Sequence, residues 1–368
     1  YHVFRNDSTS GDRFFRRPDR YQQPPKFSDT TTGVTLGGPI IKDKLFFFIS
    51  FEELKSDRNA PIYGPIGSGL TDVGITAAEV AAAQAAATAK GISIGSFSSA
   101  GDLSVKDTLI KLDWNISDRH RANLRYSKTD EKQPIFPGYS STSFSLSSRN
   151  YVTAKKVEST VAQWFADWTD TFSTELKLSQ RDYRSEPLTN SDLPEIQLVY
   201  TATAPAGTAT GNRTMRFGTE ETRHFNLVKT KTTNVFAAGI LNLGDHEIKA
   251  GADLETNKIY NAFVRRAKGQ YTFQGADPTA LFIAGNPTAY RVQVPKAGFT
   301  LDDAAANMKF SNTGLFVQDT WQLSRNLSLI AGLRMDTLGT DNAPIYNPTA
   351  HTVFGVEGLE ALEGTYDR

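Results

Sequence analysis

The chain has 368 residues, with 40 basic and 40 acidic side chains, so no net charge draws it to nucleic acid or to an anionic surface. It has no cysteine, which excludes disulfide scaffolds, thiolate metal sites and cysteine catalysis. Hydrophobic residues make up 39%, a low share, yet 23 Phe and 13 Tyr argue against a disordered chain.

The chain opens on Tyr1-His2-Val3-Phe4, which already reads as strand. The densest basic stretch, Arg13, Arg16, Arg17 and Arg20, is broken by Asp12 and Asp19 and reads as a solvated loop, so no nucleic-acid partner is expected. The most apolar stretch, Leu45 to Phe51, falls far short of the ~18 residues of a membrane helix. Next comes one predicted helix. Thr76 and Glu79 form a capping box, a run of Ala follows, and Lys90-Gly91 ends it. Its weakly apolar surface suggests an ornament of a long loop.

From Lys106 onward the pattern has a period of two. Ile110, Leu112 and Trp114 alternate with Lys111, Asp113 and Asn115; after a turn, Ala122, Leu124 and Tyr126 alternate with Arg121, Asn123 and Arg125. Alternation of this kind marks strands with one apolar face. It returns at Ala162–Trp168, Leu176–Leu178, Ile248–Leu254 and Leu327–Met335. Tight turns are expected near Pro39–Lys44, Asn115–Arg119, Thr169–Ser173, Asn242–His246 and Gln322–Asn326. Long polar loops are expected near 56–105, 127–155, 185–222, 258–312 and 338–368.

Short and long connections alternate without a break. An up-and-down membrane barrel does this, with tight periplasmic turns at one rim and long loops at the other. The alternating strand runs often exceed the nine residues that a tilted membrane strand needs. Aromatic residues near strand ends, among them Phe46, Phe47, Phe48, Phe51, Trp114, Trp164, Trp168 and Trp321, fit interface girdles. The expected fold is therefore all-β: a partial antiparallel up-and-down transmembrane β-barrel with long extracellular loops and one short loop helix. Its first partner is outer-membrane lipid. Because strand pattern begins at Tyr1 and Arg368 closes nothing, both ends are expected to be cuts in a longer protein.

No catalytic, cofactor or metal site is expected. Gly91-Ile92-Ser93-Ile94-Gly95 matches a nucleophile-elbow spacing, but a helix precedes the Ser where a strand is required. The five His lack metal-ligand spacing, Asp302-Asp303 and Asp341-Asn342 lack the spacing of a calcium loop, and Gly64, Gly67 and Gly69 do not complete a dinucleotide fingerprint. The remaining candidates are charges on the lumen face: Lys111, Asp113, Arg121, Arg125, Lys177, Lys249, Asp253 and Arg334. They either pair with each other or with an inserted domain, or they touch a ligand.

Gly37 to Lys55, GGPIIKDKLFFFISFEELK, closely resembles an early barrel hairpin of TonB-dependent outer-membrane receptors, and of their Oar-like branch in particular. Asn312 to Asp336 resembles a mid-barrel hairpin of the family, Gly244-Asp245-His246 leading into Ile248–Glu255 resembles another, and Asn347-Pro348 resembles the loop that follows. The resemblance implies a barrel of 22 strands, of which about eleven are expected here, around an N-terminal plug. It also implies coupling to the TonB complex through N-terminal parts not found in this chain, and uptake of a large, unidentified extracellular ligand. The alternative is a surface adhesion protein whose barrel is only an anchor.

Overall fold

The computed structural model describes residues 1–6, 13–14, 21–22, 27–57, 62–97, 101–341, 352–353 and 366–367. Arg16, Arg17 and Arg20 and most of the expected 338–368 loop lie outside them. In chain order the first strands are β1 (His2–Asn6), β2 (Arg13–Phe14), β3 (Tyr21–Gln22), β4 (Ser28–Ile41), β5 (Leu45–Ser56), β6 (Tyr63–Gly64) and β7 (Thr71–Asp72). After helix α1 (Ala77–Ala89) come β8 (Leu103–Ser117), β9 (His120–Ile135), β10 (Ser143–Ser145), β11 (Tyr151–Asp167), β12 (Phe172–Thr189), β13 (Glu195–Tyr200) and β14 (Arg213–Phe217). The rest are β15 (Phe225–Leu243), β16 (His246–Val264), β17 (Gln270–Gly275), helix α2 (Pro278–Ala284), β18 (Ala289–Arg291), β19 (Ala306–Ser324), β20 (Leu327–Thr340) and β21 (Tyr366–Asp367).

One antiparallel sheet runs β1-β4-β5-β8-β9-β11-β12-β15-β16-β19-β20-β21, with sequence neighbours pairing wherever a tight turn joins them. All five expected tight turns are present. Three of them leave two residues between strands; in one, Gly244-Asp245, Gly244 takes φ +61, a left-handed angle that glycine adopts at little cost.

Register fixes what each face carries. On one face, Trp114, Ala122, Trp164, Leu176, Ala237, Ala252, Leu315 and Met335 form one cross-strand row. The next row is Leu112, Leu124, Ala162, Leu178, Val235 and Leu254. None of these side chains is buried, and Met335 is exposed to 61%, as a lipid-facing band requires. No helix among the described residues is long and apolar enough to cross a membrane. At the tight-turn rim Trp164, Trp168 and His120 pack together and His246 stacks on Trp321 at 5.1 Å. Phe46 and Phe48 do not join this band, because their register partners are Asp113 and Lys111.

The strands run past the loop boundaries expected from sequence. β9 continues to Ile135, β11 begins at Tyr151, β12 ends at Thr189 and β16 at Val264. Above the lipid both faces meet water, so the ladder continues after its alternation has faded.

The long loops fold together. β10, β14, β13, β17 and β18 make a second sheet from three different loops, with parallel pairs where strands of different loops meet. Phe144, Leu146, Leu198, Met215 and Phe217 are fully buried beneath it. Burying each large side chain contributes about 1.5–3 kcal/mol. Helix α1 has the expected capping box, Glu79 N–H donating to Thr76 Oγ1 at 3.2 Å and Thr76 N–H to Glu79 Oε2 at 2.7 Å. It is no ornament: Val80, Ala83, Ala86 and Ala87 are buried in this core. Small side chains let it pack closely where larger ones would not fit. A second helix, α2, corrects the expectation of one. Its signal was present, with Asp277 as N-cap, Pro278 in the first turn and Gly285 at φ +72 closing it.

Candidate functional site

The polar face of the sheet holds all eight charged candidates. Phe46, Asp113, Asn123, Gln163, Lys177, Phe236, Asp253, Gly314 and Asp336 form one cross-strand row. The row on one side contains Lys111 and Arg125; the row on the other contains Arg121, Phe165, Glu175 and Arg334. Lys249 falls one row further, opposite Gln318. Strand alternation puts these residues on one face because each stands an even number of residues from its strand neighbours in the set.

Most of the charges are paired along the wall. Lys111 meets Asp113 at 2.7 Å. Lys249 reaches across β15 to Glu175 at 3.1 Å, its ammonium 5.7 Å from the Phe236 ring centre. Arg334 holds Asp336 at 2.7 Å and lies 3.8 Å from Asp253, which also accepts the Asn234 amide at 2.6 Å. Gly314 makes room for this guanidinium: a Cβ there would lie 2.2 Å from Arg334 Nη2. Arg121 sits over the Phe165 ring at 5.9 Å. Among the described residues Arg125 and Lys177 meet no carboxylate.

Where the wall meets the folded loops lies a buried polar cluster that sequence reasoning missed. Arg149, just ahead of β11, donates through Nη2 and Nε to Glu195 Oε2 at 2.9 and 3.2 Å. Glu195 is fully buried and also accepts from Gln197 at 2.6 Å, Gln270 at 3.1 Å and the Glu221 N–H at 2.8 Å. Arg265 and Arg266, just beyond β16, both pair with Glu221. The cluster ties the loop-side ends of β11, β15 and β16 to the folded loops, the cap. Burial pushes the Glu195 carboxyl up, but the Arg149 charge and the hydrogen bonds it accepts outweigh this and hold it below its ordinary value.

His224 belongs to the same junction. It is buried. The Lys268 N–H donates to its Nδ1 at 3.1 Å, and its Nε2 lies 3.0 Å from the Thr219 carbonyl. An acceptor Nδ1 and a donor Nε2 require the neutral ring, and burial lowers its pKa. The only advance signal was a run of charges just past the strand ends.

The Gly91–Gly95 motif follows helix α1 and leads into a coil, without the strand-turn-helix of a nucleophile elbow. Among the described residues no three His, Asp or Glu side chains are grouped to hold a metal ion.

A lipid-facing band, a polar charged face and tight turns at one rim define a transmembrane β-barrel wall of the bacterial outer membrane. The chain belongs to the outer membrane beta barrel domain family, whose model matches residues 1–66 and 68–346. Its place is the outer membrane of a Gram-negative bacterium. The fold is similar to that of the outer membrane transporter YddB from Escherichia coli, with a TM-score of 0.54 at 13% identity over 86% of this chain and 35% of that one. The siderophore receptor PirA from Acinetobacter baumannii is matched with a TM-score of 0.45 at 14% identity, over 86% of this chain and 37% of that one. The chain thus spans little more than a third of the solved barrels it matches. No curated protein matches the sequence.

Proposed function

We propose that the chain is part of the barrel wall of a TonB-dependent receptor, of the Oar-like branch, that takes up a large ligand across the outer membrane. The charge balance of the polar wall carries this reading. Each carboxylate among the candidates already holds a cation, whereas Arg125 and Lys177 are left to meet whatever fills or crosses the lumen. An anchor needs only a neutral interior. In this reading the chain catalyses nothing. Coupling to TonB would run through an N-terminal plug and its TonB box, as the family resemblance implies, and the ligand would arrive from outside under the folded cap.

The test uses the full-length protein in cells. Arg125→Glu with Lys177→Glu should lower proton-gradient-dependent uptake while leaving the amount of folded protein unchanged. Normal uptake in this variant, or uptake that persists without TonB, would sink the proposal.

The adhesion alternative has one observation in its favour. Beyond α2 the cap exposes Tyr290, Val294 and Phe299, with Val294 exposed to 72%. On that reading, substituting these three abolishes surface attachment, and the two lumen charges are immaterial.

A further inference from the structure

The lipid-facing side of the sheet changes character in three steps along the strands. On β15 and β16 the outward pairs are Ala237 with Ala252, Val235 with Leu254, Thr233 with Thr256, and then Lys231 with Lys258. The next strand sets Lys309 opposite Lys258. Three lysines therefore stand side by side on adjacent strands. Like charges directly opposite each other destabilise a sheet, so the row calls for a counter-charge. Lys309 has one in Asp341 at 2.9 Å. Lys231 and Lys258 have no ion-pair partner among the described residues.

A groove of about 390 Å³ opens on this face, lined by Lys156, Arg184, Lys229, Lys231 and Lys258. The acids nearby are mostly engaged. Glu158 is held by Lys156 at 2.9 Å and by the Tyr126 hydroxyl at 3.0 Å, and Glu186 pairs with Arg184. Asp182 lies opposite Lys231 and accepts the Gln180 amide at 2.7 Å. Of the two acids that line the groove, Glu158 is held by a cation and Asp182 alone is not, against Lys229, Lys231 and Lys258.

Height decides what lies against this groove. Lys258 is four residues beyond Leu254, about 14 Å along the strand, and tilt reduces this to roughly 10 Å above the apolar band. That is the head-group layer. The long loops lie at the same end of the strands, so this is the outer leaflet.

We infer that the outward-facing groove around Lys231 and Lys258 binds the phosphate of an anionic lipid head group in the outer leaflet. The lipid supplies the missing counter-charge, and its acyl chains continue down the apolar rows that lead to the groove. The inference is independent of what the lumen carries.

The full-length protein in neutral detergent would be titrated with bisphosphorylated lipid A, with dephosphorylated lipid A and with inorganic phosphate. Readouts are binding and the temperature at which the folded, fast-migrating band converts on electrophoresis. Only bisphosphorylated lipid A should raise this temperature. Lys231→Gln with Lys258→Gln should weaken its binding roughly 30-fold, at about one kcal/mol per lysine near an anionic surface. In lipid-free detergent the same variant should convert at a higher temperature than the parent, because the repulsion is gone. Lys231→Arg with Lys258→Arg keeps the charge and should keep the binding. Equal stabilisation by dephosphorylated lipid A or by inorganic phosphate overturns the inference. So does undiminished lipid A binding by the Gln variant, whose folding the electrophoretic band reports.

Discussion

The wall and the cap put the same kinds of side chain in opposite places. In the wall, Leu254, Leu333 and Met335 stand exposed on the sheet surface; in the cap, Phe144, Leu198, Met215 and Phe217 are sealed away completely. The difference lies in the solvent. Lipid accepts an apolar surface and rejects an unpaired backbone, so the wall is a continuous ladder with its hydrophobic groups outward. Water does the reverse, and the cap forms a small core of its own. Charges follow the same rule. At the level of the apolar band those of the wall line the polar face, while Arg149 and Glu195 are buried where the cap begins, each holding the other's charge.

The largest expected effects break the cap and spare the wall. Phe217→Ala should cost about 3–5 kcal/mol of cap stability. Glu195→Ala should cost up to ~3–5 kcal/mol, because it leaves Arg149 buried with only the more distant Glu220, at 3.6 Å, as counter-charge. Surface proteolysis of cells should then cut the loops while the heat-modifiable barrel band persists. If the band is lost together with the cap, the two regions are not separable.

A charge placed in the wall tests the other side. Leu178→Arg faces lipid and should cost about 2–4 kcal/mol. Ser179→Arg, one residue along and on the polar face, should cost less than about 0.5 kcal/mol. Urea unfolding in vesicles measures both, and equal costs would mean that the faces are misassigned.

Acid should weaken the cap before the wall. His224 and Glu195 both have lower pKa values folded than unfolded, so the folded cap binds fewer protons than the open loops do. The contribution of His224 is complete above its ordinary value of 6.5 and is withdrawn as pH falls below it. That of Glu195 follows below its ordinary value of 4.5. Protease sensitivity of the loops should rise in two stages on acidification, and His224→Gln should remove the first. The smallest effect is Thr76→Ala, which deletes the helix cap for about 1 kcal/mol and should show as faster amide exchange confined to α1.

Much of the wall was legible along the chain. Ile110, Leu112 and Trp114 against Lys111 and Asp113 name a strand and its two faces, because strand periodicity is local. The eight charged candidates fall on one face for the same reason. Their partners were not legible: Lys249 and Glu175 are 74 positions apart and meet only because β15 lies between their strands. Loop limits were misread where the strands leave the lipid, since alternation ends there and hydrogen bonding does not.

The sequence by itself determined the strands, the tight turns and the division of the wall into an apolar and a polar face, since each depends on neighbours two residues apart. Only the tertiary structure decided that four polar loops close on one core. Phe144, Leu198 and Phe273 come from separate connections, and no local period announces a contact that register across the sheet creates. The same register set Lys231 against Lys258, a pairing that neither strand shows when read alone.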